Sequence, residues 1–220
     1  MKDLVLTLED AFPTRVAGVI RTDDPEAAFK ACLAAVDGGI ATLEVPLTVP
    51  SCFDVIRGLI ASTLSSVPVG VGTVYDANVV PRAKKAGAAF VVTPVLLPEV
   101  AAACAREDIL CILGALTPTE IHQARLAGAN AVKIFPIQTM GGTDYIRFLR
   151  GPMPDVPLWV SGGVEIEQIR HYLALGVCAV GLTSSLFPAD ALRRGDMATI
   201  TELARRASSA TAATTGWVRA

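Results

Sequence analysis

The sequence predicts a (β/α)8 TIM barrel with a short N-terminal helix, and a repeated unit is the main reason. The unit is an Ala-rich helical stretch, a glycine and a short apolar strand, and its glycines recur 41 to 48 residues apart (Gly39, Gly87, Gly128 and Gly176). Glycine directly after a helix is the expected left-handed cap, and each interval has room for two βα units. A chain of 220 residues that is 52% hydrophobic is also large and apolar enough for one such barrel.

Eight apolar segments are predicted as strands: Val16–Arg21, Ala41–Leu47, Pro68–Val74, Phe90–Val95, Leu110–Leu116, Ala131–Ile137, Leu158–Val164 and Ala179–Ser184. Helical stretches fill the gaps, and two of them, Pro25–Val36 and Thr117–Leu126, begin with a capping residue and a proline. An open doubly wound sheet is the rival fold. That fold usually has about five or six strands and a Gly-rich nucleotide-binding turn, and the stretch Gly70–Tyr75 lacks the third glycine of such a turn.

The predicted organisation is an N-terminal helix or cap over residues 1–15, one barrel over residues 16–207 and a tail over residues 208–220. The N-terminal helix is expected over Leu4–Phe12. The tail is rich in Ser, Ala and Thr and contains Trp217, and we expect it to be mobile or packed on a neighbouring subunit.

Charge and hydropathy narrow the class of protein. A formal net charge of −2 argues against a nucleic-acid binder, which would be basic. The most apolar window, Ala86–Ala105, is broken by Pro94 and Pro98, so no membrane span is expected. The N-terminus lacks the apolar stretch of a signal peptide, and the expected location is therefore cytoplasmic.

The metal-binding residue types form no recognisable motif. Five scattered cysteines without a C-x-x-C pair are expected to be buried and reduced, as in a cytoplasmic protein. His122 and His171 fall within helical stretches, where a surface position is expected. No metal site and no cofactor are predicted.

Lys133 is the first candidate for chemistry. It lies in the apolar strand around Ala131–Phe135, and the alternation of strand side chains directs it into the barrel, with Val132 and Ile134 outward. Burying an ammonium group is expensive and favours the neutral amine, which is the form that attacks a carbonyl to make a Schiff base. A structural lysine paired with a carboxylate is the other interpretation.

Glu44 is the candidate partner. Leu43 and Val45 are predicted to face the helices, so Glu44 faces inward, and Pro46 places it near the C-terminal end of its strand. Active sites of this fold lie at that end. The glutamate could neutralise Lys133 or transfer protons, and these roles are compatible.

Other strand ends carry polar residues and glycines. Glycine pairs and hydroxyls after strands seven and eight are typical of the phosphate cradle in this fold, although each alone is also an ordinary turn or cap residue. Together with the inward Lys and Glu they indicate a substrate-binding rim, whose members are Arg21, Thr73, Pro94, Gly162, Gly163 and Ser184.

Six segments resemble a known family, and they occur in its order: Leu43–Leu47, Val71–Val74, Val92–Pro94, Val132–Pro136, Ser161–Val164 and Phe187–Asp190. The family is that of the aldolases for 2-keto-3-deoxy-6-phosphogluconate (KDPG) and its phosphogalactonate epimer (KDPGal), also called the KDPG/KHG aldolases. The match runs from about Val16 to Ala204, nearly the whole chain.

The resemblance implies a metal-independent class I aldolase, expected as a homotrimer of barrels, that forms pyruvate from a phosphorylated keto acid. Lys133 would form a carbinolamine and then a Schiff base with the substrate C2 keto group. Glu44 would act through water as general acid and base. By the same resemblance, Thr73 and Arg21 would bind the substrate carboxylate, and Phe135 would pack beside the imine. The phosphate would be bound by Gly162, Gly163 and Ser184.

One departure concerns the substrate. Many phosphogluconate-type members carry an arginine shortly after the second-strand glutamate, whereas this chain reads Glu44-Val45-Pro46-Leu47-Thr48-Val49-Pro50. This form, together with Arg21, is closer to the phosphogalactonate branch. Two alternatives stay open: a non-covalent phosphate-binding barrel, such as an isomerase or a synthase, and a binding protein that kept the barrel but lost turnover.

Overall fold

The computed structural model describes residues 6–63 and 66–211. Eight parallel strands close into a barrel in the order β1 to β8, which confirms the predicted fold. The strands are β1 Val16–Val19, β2 Leu43–Pro46, β3 Val69–Gly72, β4 Phe90–Val92, β5 Leu110–Ala115, β6 Ala131–Ile134, β7 Leu158–Ser161 and β8 Ala179–Leu182.

Helix α1 Leu8–Ala11 precedes the barrel, and further helices cover the outside: α2 Pro25–Asp37, α3 Cys52–Ser62, α4 Val80–Lys85, α5 Pro98–Glu107, α6 Pro118–Leu126, α7 Thr143–Arg150, α8 Ile169–Ala174, α9 Ala189–Arg194 and α10 Met197–Ser209. Asp24 caps α2 and Thr117 caps α6, each followed by a proline, as the sequence predicted. Helix α10 includes the first two residues of the predicted tail, and Trp217 lies outside the described residues.

The predicted strands extend too far at their C-terminal ends. Strands β4, β6 and β7 each stop three residues earlier than expected. The physical reason is the backbone that follows them: Pro94 and Pro136 lack an N–H for the ladder, and Gly162 and Gly163 adopt left-handed φ values of +94° and +82°. Several rim candidates therefore stand in loops beyond the strands.

Two separate cores fill the molecule. The larger one lies between the strands and the covering helices and includes Val132 and Ile134. The smaller one fills the barrel interior at its N-terminal end, where the rings of Phe12, Phe90 and Trp159 pack at centroid distances of 5.0 to 6.0 Å. Phe12 follows α1, so the N-terminal segment closes this end of the barrel.

The remaining sequence expectations concern exposure. All five cysteines are buried and free, and both histidines are exposed, as predicted. In residues 6–63 and 66–211 no helix combines the length and the hydropathy that a membrane crossing requires.

Candidate active site

Lys133 and Glu44 meet inside the barrel. Lys133 on β6 is 4% exposed, Glu44 on β2 is fully buried, and the Lys133 Nζ–Glu44 Oε2 distance is 3.5 Å. Lys133 is the only buried one of the four lysines in the described part of the chain. The alternation of β6, with Val132 and Ile134 in the outer core, produces this inward position as the sequence predicted.

Two aromatic rings flank the amine. Lys133 Nζ lies 5.5 Å from the centroid of the Phe135 ring and 5.3 Å from that of the Trp159 ring. Both distances are within the range of a cation–π interaction. The buried nitrogen therefore has one carboxylate and two π faces around it.

Glycines on β3 make room for the glutamate. A Cβ atom on Gly72 would lie 1.9 Å from Glu44 Oε1, and a Cβ on Gly70 would lie 2.1 Å from the Phe90 ring. The Gly70-Val71-Gly72 stretch is a poor match to a nucleotide-binding turn. Its two glycines instead leave room inside the barrel for the Phe90 and Glu44 side chains. This relationship depends on the β2–β3 pairing, in which Glu44 aligns with Gly70 and Pro46 with Gly72.

Glu44 keeps one oxygen available. Its Oε1 atom is buried and has no hydrogen-bond partner among the described residues. An unpaired buried acceptor costs stability, so its presence here indicates a functional use. Burial, with the Glu44 charge as a second cause, raises the pKa of the neighbouring Cys52 thiol to about 12.

The rim above the lysine holds the carboxylate-binding candidates. Arg21 is exposed, and its Cζ atom lies 5.9 Å from the Phe135 ring centroid. Thr73 follows β3 directly, is half-buried and has a left-handed φ of +58°. Pro94 follows β4 after Thr93, whose hydroxyl donates to the Val95 carbonyl at 2.6 Å and accepts from the Gly114 N–H at 3.0 Å.

The phosphate-binding candidates follow β7 and β8. A Cβ atom on Gly162 would lie 2.9 Å from Phe135, so the glycine lets this loop approach the lysine strand. The Gln138 N–H donates to the Gly162 carbonyl at 3.1 Å and fixes the two loops together. Ser184 is exposed on the same rim, while the neighbouring Ser185 hydroxyl donates to the Val164 carbonyl at 2.7 Å.

The predicted site residues thus lie at different distances from the Lys133 amine. Lys133, Glu44 and Phe135 form the centre, and Arg21 and Gly162 lie against Phe135. Three further candidates share the rim, and within the described ranges none of them is hydrogen-bonded to Lys133: Thr73, Pro94 and Ser184.

Sequence reasoning missed two buried neighbours of the site. Trp159 aligns with Lys133 in the β6–β7 pairing, and the Ser161 hydroxyl, two residues later, donates to the Gly181 carbonyl at 3.3 Å. The alternation of side chains along β7 could have identified both residues. Leu158 and Val160 face the helices, so Trp159 and Ser161 must face inward. Across residues 6–63 and 66–211, no group of three or more His, Cys, Asp or Glu side chains is arranged to hold a metal ion.

Comparisons with known proteins indicate one family. The family model described as "KDPG and KHG aldolase" matches residues 10–203. The KHG/KDPG aldolase of Escherichia coli K12 is 35% identical over 193 residues, which cover 87% of this chain and 90% of that protein.

Two solved structures share the fold. The KDPG aldolase of Legionella pneumophila, with pyruvate captured at low pH as a covalent carbinolamine intermediate, has a TM-score of 0.80 and 28% identity, covering 90% of this chain and 95% of that one. A structure named as native KDPGal also has a TM-score of 0.80, with 26% identity and coverage of 89% and 93%.

Proposed function

The chain belongs to the KDPG and KHG aldolase family of carbon–carbon lyases, and we propose that it is a class I aldolase acting on a 2-keto-3-deoxy-6-phospho-sugar acid. The products would be pyruvate and glyceraldehyde 3-phosphate, and 4-hydroxy-2-oxoglutarate would be a second substrate. The observation that carries the proposal is the buried Lys133 amine, 3.5 Å from the Glu44 carboxylate.

Schiff-base formation follows from that pair. The neutral Lys133 amine adds to the C2 carbonyl of the substrate, and the carbonyl oxygen gains a proton to give a carbinolamine. The carbinolamine then loses water and becomes a positively charged iminium. Glu44, with Oε1 unpaired, is placed to move the protons of both steps.

Carbon–carbon cleavage uses the iminium as an electron sink. The C4 hydroxyl loses its proton to the Glu44 carboxylate, directly or through water, and the electrons of the C3–C4 bond move into the iminium. This gives a neutral enamine and an aldehyde. Protonation of the enamine at C3 and hydrolysis of the new iminium release pyruvate and restore the amine.

The rim would orient the substrate. Arg21 and Thr73 are proposed to hold the carboxylate, Phe135 and Pro94 to line the site, and the loops after β7 and β8 to hold the phosphate. Left-handed glycines expose backbone N–H groups that suit an anion. Arg21, beside the Phe135 ring, is the arginine that would take the carboxylate-binding role.

Reductive trapping tests the proposal. We expect borohydride in the presence of pyruvate to leave a carboxyethyl group on the peptide that contains Lys133. The exposed Lys30, Lys84 and Lys85 are internal controls in the same digest. A folded protein with no adduct at saturating pyruvate would reject the class I mechanism, and the non-covalent phosphate-binding barrel would replace it.

Assembly and location are part of the same proposal. Exposed apolar side chains follow strands β3, β4 and β6 on the active-site rim (Tyr75, Val95 and Met140), and a subunit contact would cover them. A homotrimer would elute in light-scattering chromatography with three times the chain mass of 23.0 kDa, and a mass of one or two chains would contradict it. The free cysteines support a cytoplasmic location.

A further inference from the structure

We propose that Trp159 is a positioning residue for Lys133 and that its indole face stabilises the positive charge that develops as the iminium forms. The inference rests on the Schiff-base mechanism proposed above. It assigns a role to a residue that the sequence analysis did not select, either from a motif or from the alternation of side chains along a strand.

The contact between the two side chains is direct. Trp159 is the β7 residue that aligns with Lys133 on β6, and it is fully buried. Lys133 Nζ lies 5.3 Å from the indole centroid, which is slightly closer than the 5.5 Å to the Phe135 ring. Tryptophan provides the strongest π face for a cation, and the interaction is larger where water is excluded.

Packing fixes the indole under the amine. The Phe12 and Phe90 rings contact it at centroid distances of 5.2 and 6.0 Å from the N-terminal end of the barrel. On the neighbouring strand a Cβ atom on Gly181 would lie 2.6 Å from Trp159 Nε1, so the glycine is required for the indole to lie there. The ring cannot turn away from Lys133 without displacing these neighbours.

The tryptophan carries a cost that a phenylalanine would avoid. Its indole N–H is buried and has no hydrogen-bond partner among the described residues. A phenylalanine would fill much of the same space without a buried unpaired donor. The presence of tryptophan beside the reactive amine is explained when its larger π face is used.

The chemistry identifies the step that benefits. When the carbinolamine loses water, its C–O bond breaks, the hydroxyl leaves with a proton, and the nitrogen lone pair forms the C=N bond. A neutral group thereby becomes a cation. Glu44 exchanges protons during this step, so its charge changes, whereas the indole offers a constant negative face.

Fluorination of the indole tests the proposal with only a small change in the size of the ring. The chain has only two tryptophans, so Trp217→Phe leaves Trp159 as the single site for biosynthetic labelling. Fluorine weakens the negative face in proportion to the number of atoms introduced. With mono-, di- and trifluorinated tryptophan we expect the borohydride-trapped iminium at saturating pyruvate to fall by about tenfold across the series, with the melting temperature unchanged.

The outcomes separate this inference from the aldolase proposal. Trapping that is equal for all labels would overturn the role of Trp159, while an adduct on Lys133 would still support the Schiff base. Failure to trap any adduct in the unlabelled protein would instead reject the proposed function.

Trp159→Phe and Trp159→Leu give a second comparison. We expect trapping per folded molecule to fall about threefold in the first and about tenfold in the second, because only the first keeps a π face. Equal trapping in the two variants would contradict the inference. Should the leucine variant not fold, the fluorinated series alone decides.

Discussion

The two ends of the barrel are built from the same eight strands, yet they bury different chemistry. At the N-terminal end Phe12, Phe90 and Trp159 form an aromatic core, and the Arg15 guanidinium donates to the Val177 carbonyl at 2.5 Å. At the C-terminal end Lys133 and Glu44 are buried together, and Glu44 Oε1 has no partner within the described ranges.

The difference shows how the fold divides stability from catalysis. A buried ion pair is often less stabilising than apolar side chains of the same volume, so we expect the charged end of the barrel to contribute less to stability than the aromatic end. The aromatic end supplies packing that offsets this smaller contribution. Trp159 belongs to both ends, because its ring packs on Phe12 and Phe90 and also faces Lys133. Substitutions at the two ends should therefore change different observables.

The largest effect is expected at the nucleophile. Lys133→Met should lower kcat/KM for the phosphorylated keto acid by about a thousandfold or more, because no other lysine in residues 6–63 and 66–211 is buried at the site. The exposed Lys85→Met is the matched control and should keep its activity. Retention of a tenth of the activity by a folded Lys133→Met protein would be incompatible with the mechanism; circular dichroism checks the fold.

Removal of the proton-transfer group comes next. Glu44→Gln should lower kcat by about 10²–10⁴-fold while the pyruvate adduct on Lys133 still forms, more slowly. Glu26→Gln removes an exposed carboxylate that pairs with Lys30 and should leave kcat unchanged. A Glu44→Gln enzyme with wild-type kcat would show that the carboxylate only neutralises the lysine.

At the opposite end the expected change is in stability. Phe12→Ala should lower the free energy of unfolding by about 3–5 kcal/mol, since it removes a fully buried ring. Phe148→Ala is the control: that ring is 79% exposed and its removal should change stability by at most about 0.5 kcal/mol. Urea unfolding measures both. Activity per folded molecule should fall by at most about threefold, because the Phe12 ring reaches the site only through its packing on Trp159. A larger loss of kcat in Phe12→Ala would contradict the division between the ends.

A smaller effect is expected at the phosphate rim. Gly163 has a φ of +82°, and an added Cβ would lie 2.7 Å from Gln138 Cβ. Gly163→Ala should raise KM for the phosphorylated substrate about tenfold without changing iminium trapping with pyruvate, which has no phosphate.

Gly128 offers a matched control for backbone strain. Its φ is +89°, and a Cβ there would meet nothing within 4 Å. Gly128→Ala should cost about 1–2 kcal/mol of stability and leave KM unchanged. If both variants raise KM equally, backbone strain and not the phosphate loop is responsible.

The smallest expected effect is a pH dependence at the N-terminal end. Burial raises the pKa of the Cys178 thiol to about 12, whereas the pKa of a cysteine in the unfolded chain is about 8.5. Above pH 8.5 the unfolded state loses this proton first, so stability falls as the pH rises toward 12. Between pH 7 and 9 the wild type should lose about 1 kcal/mol more than Cys178→Ala in urea unfolding. Parallel pH profiles would show that the thiol titrates normally.

The fold was predictable because its signals are local. Helix caps such as Thr117-Pro118 can be identified within a few residues of sequence. The alternation of side chains along each strand was enough to predict that Glu44 and Lys133 face inward. Strand ends were overestimated because apolar residues such as Val95 and Ile137 continue the pattern after Pro94 and Pro136 have interrupted the ladder.

The rest of the site depends on neighbours that are distant in sequence. An inward tryptophan in an apolar strand has the pattern of an ordinary core residue, and only the β6–β7 register places Trp159 beside Lys133. Likewise the space for Glu44 is set by Gly72, which the β2–β3 register aligns with Pro46. The register between two strands is fixed when the barrel closes, so it cannot be inferred from the sequence of either strand alone.

The absent side chain of Gly72 also constrains how this protein can evolve. A change from a glycine to an alanine codon at this position requires one base, and the new methyl group would lie 1.9 Å from the Glu44 carboxylate. The backbone pairing of β3 would be kept, so the barrel would still close, but the Glu44 side chain, which we propose as the acid–base group, would be forced aside. If Glu44 has the proposed role, a single point mutation on β3, a strand that carries none of the proposed catalytic side chains, would preserve the fold and remove the activity.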